Sequence, residues 1–256
     1  MFEKNILEMK RIGLVLLVAF GGFAQAQTIV SDRPTQAVSS SIIATGSIQV
    51  EGGVGAGFVP EGLKNRNQIL APTVLVRYGL SDYFELRMKT QFESHSSPLD
   101  LKRTSGMADL QIGTKIRLLD KEDSDTKVAW LTQVVIPTGS RGISEDIFKG
   151  INRLSISHVI TESINLGYNF GFNYRPDING DLTYAVPLKV AVSKKVSFYV
   201  EPYGQYRRLL EVEANLGGGL TYLLKDNVQF DFSFGTGLNH KMNYLAAGFS
   251  WNVVKQ

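Results

Sequence analysis

The chain has 256 residues, 27 basic against 24 acidic side chains, and no cysteine. Nearly balanced charge leaves no electrostatic footprint for nucleic acid, and the absence of thiols excludes a disulfide framework or a cysteine zinc site. With 25 glycines, 14 phenylalanines and 10 tyrosines, the composition favours strands and turns over helices.

Lys10 and Arg11 precede an apolar run over residues 12–23, and Ala24-Gln25-Ala26 follows as a small-x-small cleavage site. This is the three-part pattern of an export signal covering 1–26. The run is well short of the roughly 20 residues a membrane-spanning helix needs. Glu3 and Glu8 are foreign to a basic n-region, which points to Met9 as an alternative start. No later stretch is apolar for long enough to cross a bilayer as a helix. An exported chain without helices leaves a secreted β protein or an outer-membrane barrel.

Residues 27–46 are polar and carry Pro34 and the run Ser39-Ser40-Ser41, so no regular structure is expected there. An extended periplasmic lead-in and a segment tucked into a lumen both fit. From 47 to 256 the chain alternates apolar and polar residues almost without pause, which predicts strands, since successive strand side chains point to opposite faces.

Ile48, Val50, Val54 and Ala56 alternate with Gln49, Glu51, Gly53 and Gly55. A polar loop over 58–68 leads to a strand at 69–78, and Gly79-Leu80-Ser81-Asp82 makes a tight turn. Phe84, Leu86, Met88 and Phe92 then oppose Glu85, Arg87, Lys89, Gln91 and Glu93. After a loop over 95–106, Leu110, Ile112 and Ile116 oppose Asp109, Gln111, Lys115 and Arg117. Strands follow at 128–136 and, more weakly patterned, at 154–160, with a long loop over 138–152 between them.

The purest alternation is at 164–174. Ile164, Leu166, Tyr168, Phe170, Phe172 and Tyr174 share one face, and Asn165, Gly167, Asn169, Gly171 and Asn173 the other. Further strands are expected at 182–192 with Lys189 inward, 196–206 with Glu201, 212–224, 228–235 with Asp231, and 245–253.

That makes about 12 strands, mostly roughly ten residues long, the length a tilted strand needs to cross a bilayer. Short turns follow the even-numbered strands and longer loops most of the odd ones. A sandwich has no reason to alternate its loops so, whereas outer-membrane barrels do. The expected fold is an all-β, antiparallel up-and-down transmembrane barrel. Its partners are then outer-membrane lipid and a small solute. Tyr78, Tyr83, Tyr168, Tyr174, Tyr199, Tyr206, Tyr222, Tyr244 and Trp251 lie near strand ends, where interfacial girdles belong.

Several short signatures resemble an outer-membrane barrel family labelled "Putative MetA-pathway of phenol degradation". They are Ser31-Asp32-Arg33-Pro34-Thr35-Gln36, Arg77-Tyr78-Gly79-Leu80 with Glu85-Leu86-Arg87, and Pro137-Thr138-Gly139. Leu166-Gly167-Tyr168-Asn169, Gly219-Leu220-Thr221-Tyr222-Leu223-Leu224, Gln229-Phe230-Asp231 and Gly237-Leu238-Asn239 continue the series in order. The resemblance implies a transporter-like barrel for small solutes, aromatic or hydrophobic ones among them, and supplies no ligand residues.

The expected lumen lining is Glu51, Arg77, Glu85, Arg87, Lys89, Asp109, Lys115, Arg117, Asn165, Asn169, Asn173, Lys189, Glu201 and Asp231. With Lys127, Arg207, Glu93 and Glu213 added, the inward charges nearly balance, which suggests mutual pairing. The asparagine strip is the least bulky wall. A closed structural or adhesion barrel, the latter using the charged loop 138–152, is the alternative. An outer-membrane lipase would need His158 beside an inward serine, but Ser155 and Ser157 have the opposite parity. Three scattered histidines give no metal spacing, so no catalytic residue, metal or cofactor is expected.

Overall fold

The computed structural model describes residues 29–61, 64–96, 103–120, 124–176, 180–208 and 210–253. The expected export signal and the alternative start at Met9 lie outside them. In chain order come β1 (Ile48–Glu61), β2 (Lys64–Gly79), β3 (Phe84–Ser96), β4 (Arg103–Met107), β5 (Leu110–Asp120), β6 (Thr126–Ile136) and β7 (Lys149–Thr161). The second half contains β8 (Ile164–Tyr174), β9 (Asp181–Ala185), β10 (Leu188–Ala191), β11 (Val196–Arg207), β12 (Glu211–Lys225), β13 (Val228–Gly237) and β14 (Asn243–Val253).

Neighbours in sequence pair antiparallel, and β14 pairs with β1 from Ile48↔Val253 to Phe58↔Asn243, so the sheet closes on itself. β4 and β5 both lie against β3 as tip and body of one wall strand, and β9 and β10 are two parts of another. The 14 segments therefore build a barrel of 12 strands. Closure satisfies every wall strand on both edges, which an apolar surrounding demands.

The break between β9 and β10 corrects the single strand expected at 182–192. Pro187 has no N–H to give to the ladder, although its carbonyl still accepts from the Gly167 N–H at 2.8 Å. The register survives: Ala185 faces Asn169 on one side of the break, and Leu188 faces Leu166 on the other.

Strand also extends into three expected loops. The polar stretch at 58–68 is the tip of the β1–β2 hairpin, paired from Phe58↔Asn67 to Glu61↔Lys64. At 95–106, β3 runs on to Ser96 and β4 pairs with it. β7 begins at Lys149 rather than near 154. Where a barrel rises above the bilayer both faces are wet, so the apolar alternation stops while the hydrogen-bonded ladder continues.

The outer face is apolar. On β3, Phe84, Leu86 and Met88 are exposed, and on β13 so are Phe230, Phe232 and Phe234. Their neighbours Glu85, Arg87, Gln229, Asp231 and Ser233 are buried. This inversion of a soluble protein is what a lipid surround selects. Tyr78, Tyr83, Tyr174, Tyr206, Tyr222 and Trp251 join the outer face.

Tyr199 and Tyr244 do not. Tyr199 is only 6% exposed, and both rings lie against the inner wall over glycines. A Cβ on Gly219 would stand 2.7 Å from the Tyr199 ring, and one on Gly235 would stand 2.3 Å from the Tyr244 ring. Bare backbone opposite each tyrosine lets the ring lie flat.

Candidate functional site

The interior of the short-turn end is filled by residues 29–46, which run inside the barrel. Among the described residues, Ile29, Ala37, Ile42 and Ile43 are the buried apolar side chains outside the strands. The segment has no ladder of its own, so its backbone groups are satisfied by wall side chains.

The contacts follow the chain. Ser31 Oγ lies 2.6 Å from Ser250 Oγ and 3.2 Å from Glu51. Asp32 accepts from Lys115 Nζ at 3.0 Å and forms an ion pair with Arg87, while its other role is to accept the Ser39 N–H at 2.9 Å. The Arg33 guanidinium donates to both Asp231 oxygens, at 3.0 and 2.9 Å. It passes over the paired glycines Gly53 and Gly248, where any Cβ would collide with it.

Further along, the Gln36 and Ala37 N–H groups both donate to the Glu201 carboxylate, at 2.8 and 2.9 Å. Asn169 accepts the Val38 N–H at 2.7 Å and donates back to the Val38 carbonyl at 3.0 Å. Ser40 meets Ser157 at 2.6 Å, and the Ile43 N–H reaches Glu85 at 3.0 Å. At the rim the Gly46 N–H donates to the Gly79 carbonyl at 2.7 Å. A Cβ on Gly79 would stand 2.1 Å from the Ala44 oxygen, so glycine there admits the segment.

Behind this plug, the wall carries its own network. Arg77 donates to Glu85 at 2.8 and 2.7 Å, to Glu51 at 2.8 Å and to the Val30 carbonyl at 2.6 Å. Wall and plug thus share carboxylates.

Above the plug the lumen is open. An inner cavity of about 570 Å³ has residues 32–38 in its lining, with Arg87, Lys89, Arg153, Gln133, Tyr203 and Tyr244 around it. An outer cavity of about 530 Å³ follows toward the long hairpins. Gln68, Gln91, Gln111 and Ile151 line both, so the two are stages of one vestibule.

The loop before β7 folds inward over the outer stage. The Gly139 N–H donates to Asp109 at 3.0 Å, and Glu145 pairs with Lys149 at 2.8 Å and Arg175 at 2.5 Å. Burial alone would raise the Glu145 carboxyl, but Lys149 and Arg175 outweigh it and hold it below its ordinary range. Glu145 is tied down by these two cations, while Arg141 and Asp146 of the same loop stay exposed.

The expected lumen residues divide by level. Glu51, Arg77, Glu85, Arg87, Lys115, Asn169, Glu201 and Asp231 are buried around the plug. Lys89 lies above it, and Asp109 and Asn173 line the outer stage. Arg117 and Lys127 pair with Asp120 near a short turn, at 3.8 and 3.0 Å, and Arg207 with Glu213 at 2.8 Å near a long hairpin. Lys189 faces Asn165 in register.

Mutual pairing of wall charges holds only in part. Asp231 and Glu201 are satisfied by the plug, whereas Lys89 and Lys189 make no hydrogen bond or ion pair among the described residues. The asparagine strip is not the least obstructed wall, because Asn169 is clamped to Val38. His158 accepts or donates to Thr126 at 2.8 Å and packs edge-on against Tyr168, away from the inward Ser155 and Ser157.

A family profile described as "Putative MetA-pathway of phenol degradation" matches residues 31–253, plug and barrel together. The chain belongs to that family. Among solved structures, the COG4313 outer membrane channel from Pseudomonas putida F1 superposes with a TM-score of 0.72 at 11% identity, covering 86% of this chain and 100% of that one. The KdgM porin gives 0.53 at 9% identity over 80% and 98% of the chains. The β domain of the Bordetella autotransporter BrkA gives 0.51 at 9% identity over 80% and 99%. At such identities it is the barrel fold that these proteins share with the family member described here. No curated protein matches its sequence.

Sequence reasoning did not single out Arg153 or Tyr203, quoted Arg33 only within a family signature, and expected Tyr244 in the interfacial girdle rather than in the lumen. Arg153 sits in the strand whose alternation is weakest, because Ile151 and Arg153 share its inward face.

Proposed function

We propose that the protein is an outer-membrane channel for a small solute, with the short turns in the periplasm and the long hairpins outside. The solute enters the vestibule, meets the plug as its floor, and leaves when the plug yields. The carrying observation is the continuity of the two cavities down to residues 32–38. The plug is held by hydrogen bonds and ion pairs, which water can replace, and not by covalent or ladder bonds. Tyr203 and Tyr244 on one side of the inner stage favour solutes with an aromatic or otherwise flat apolar body. The filled short-turn end favours the second reading, a closed structural barrel.

Swelling of proteoliposomes in a series of neutral solutes separates the two. The channel reading expects size-limited entry of the smallest sugars and of a neutral aromatic alcohol. Swelling no faster than in protein-free vesicles supports the closed barrel.

A further inference from the structure

Charge is not evenly spread along the vestibule. In the outer stage the lining acids all have partners: Glu93 meets His95 at 2.7 Å, Glu145 meets Lys149 and Arg175, and Asp109 and Asp181 accept the Gly139 and Arg208 N–H groups. The inner stage differs. Lys89 on β3 makes no hydrogen bond or ion pair among the described residues. Glu93, the acid along its own strand, is taken by Gln68 and His95. Among the described residues, Arg153 on β7 donates only to its neighbour's carbonyl, Asn152 O, at 2.8 Å. The acids in the inner lining, Asp32 and Glu51, are already engaged, the first by Arg87 and Lys115, the second by Arg77.

Two more donors on this side are unused. Gln133 Nε2 and Arg87 Nε are buried and have no partner among the described residues. The register places these groups on neighbouring strands. Arg87 faces Gly113, Gly113 faces Gln133, and Leu131 faces Arg153, with Lys89 two residues along from Arg87. Half-buried cations and buried donors without an acceptor are unfavourable unless a ligand supplies one. The tyrosines come from β11 and β14, away from these strands around the ring.

We propose that the inner cavity is a binding subsite for an organic monocarboxylate with a flat apolar body. Its carboxylate is held by Lys89 and Arg153 with help from Gln133, and its body lies against Tyr203 and Tyr244. A charge-balanced mouth leading to a cationic floor draws anions inward. The subsite rests on the proposed passage only for its place on a route.

Benzoate and benzyl alcohol share a ring and differ in charge, so their equilibrium binding to the purified full-length protein in detergent is the test. Benzoate is expected to bind more tightly than the alcohol. Lys89→Gln and Arg153→Gln should each weaken benzoate by roughly tenfold, the scale of a charge-assisted hydrogen bond, and leave the alcohol unchanged. Lys89→Arg should retain benzoate, and Tyr203→Ala should weaken both probes. Neither neutralised cation holds a carboxylate, so the barrel should stay closed, as its heat-modifiable gel mobility will report. Equal binding of the two probes, or benzoate binding indifferent to both neutralisations, overturns the subsite. Benzoate binding without any solute passage would refute the channel alone, and passage without charge preference would refute the subsite alone.

Discussion

Arg77→Ala is expected to lower barrel stability by about 3–5 kcal/mol, the range for removing one partner from a buried ionic network. The guanidinium is fully buried and joins β2 to β1 and β3 through Glu51 and Glu85, each on an adjacent strand. Without it, Glu85 keeps Arg87 and the Ile43 N–H, and Glu51 keeps Gln49 and Ser31. Those remaining donors place the loss toward the lower end. The urea midpoint for unfolding in lipid vesicles measures it. A midpoint equal to that of the native chain would show that water in the lumen already solvates these carboxylates.

Asp32→Ala should act on the plug and spare the wall. Asp32 gathers Arg87, Lys115 and the Ser39 N–H at one carboxylate, and Lys115 would retain only the Ser41 carbonyl at 3.3 Å. Weakening the seat by about 3 kcal/mol raises the population of the displaced plug roughly a hundredfold, since each 1.4 kcal/mol is about tenfold. Single-channel recordings should show longer and larger openings. The unfolding midpoint should move far less than for Arg77→Ala, because the bonds of Arg77 to Glu51 and Glu85 remain. Unchanged conductance with a lowered midpoint would mean that plug and wall open only together.

The barrel was legible because lipid outside and a wet lumen inside impose opposite chemistry on alternate residues, and the 164–174 stretch or Gln229 to Phe234 shows this without ambiguity. Above the bilayer that contrast vanishes, so the 58–68 hairpin reads as loop although it is paired. Tyrosine as a residue type carries no sign for direction either: Tyr199 and Tyr244 have the inward parity of Glu201 and Ser250, and Gly219 and Gly235 across the ladder leave room for their rings. The charged inward residues were legible as a set, but their partners were not. Asp231 and Glu201 depend on Arg33, Gln36 and Ala37, which belong to a stretch with no periodicity to read.

The claim that the solute's route runs through the space the plug occupies is tested most directly by fixing the plug in place. Ser40 and Ser157 bring their hydroxyls within 2.6 Å, and the chain has no cysteine of its own. The double variant Ser40→Cys with Ser157→Cys therefore places a single disulfide between plug and wall. Solute flux into proteoliposomes should fall to the protein-free level on oxidation and return on reduction. Flux that is the same oxidised and reduced, with the cross-link verified, would contradict a route past the plug.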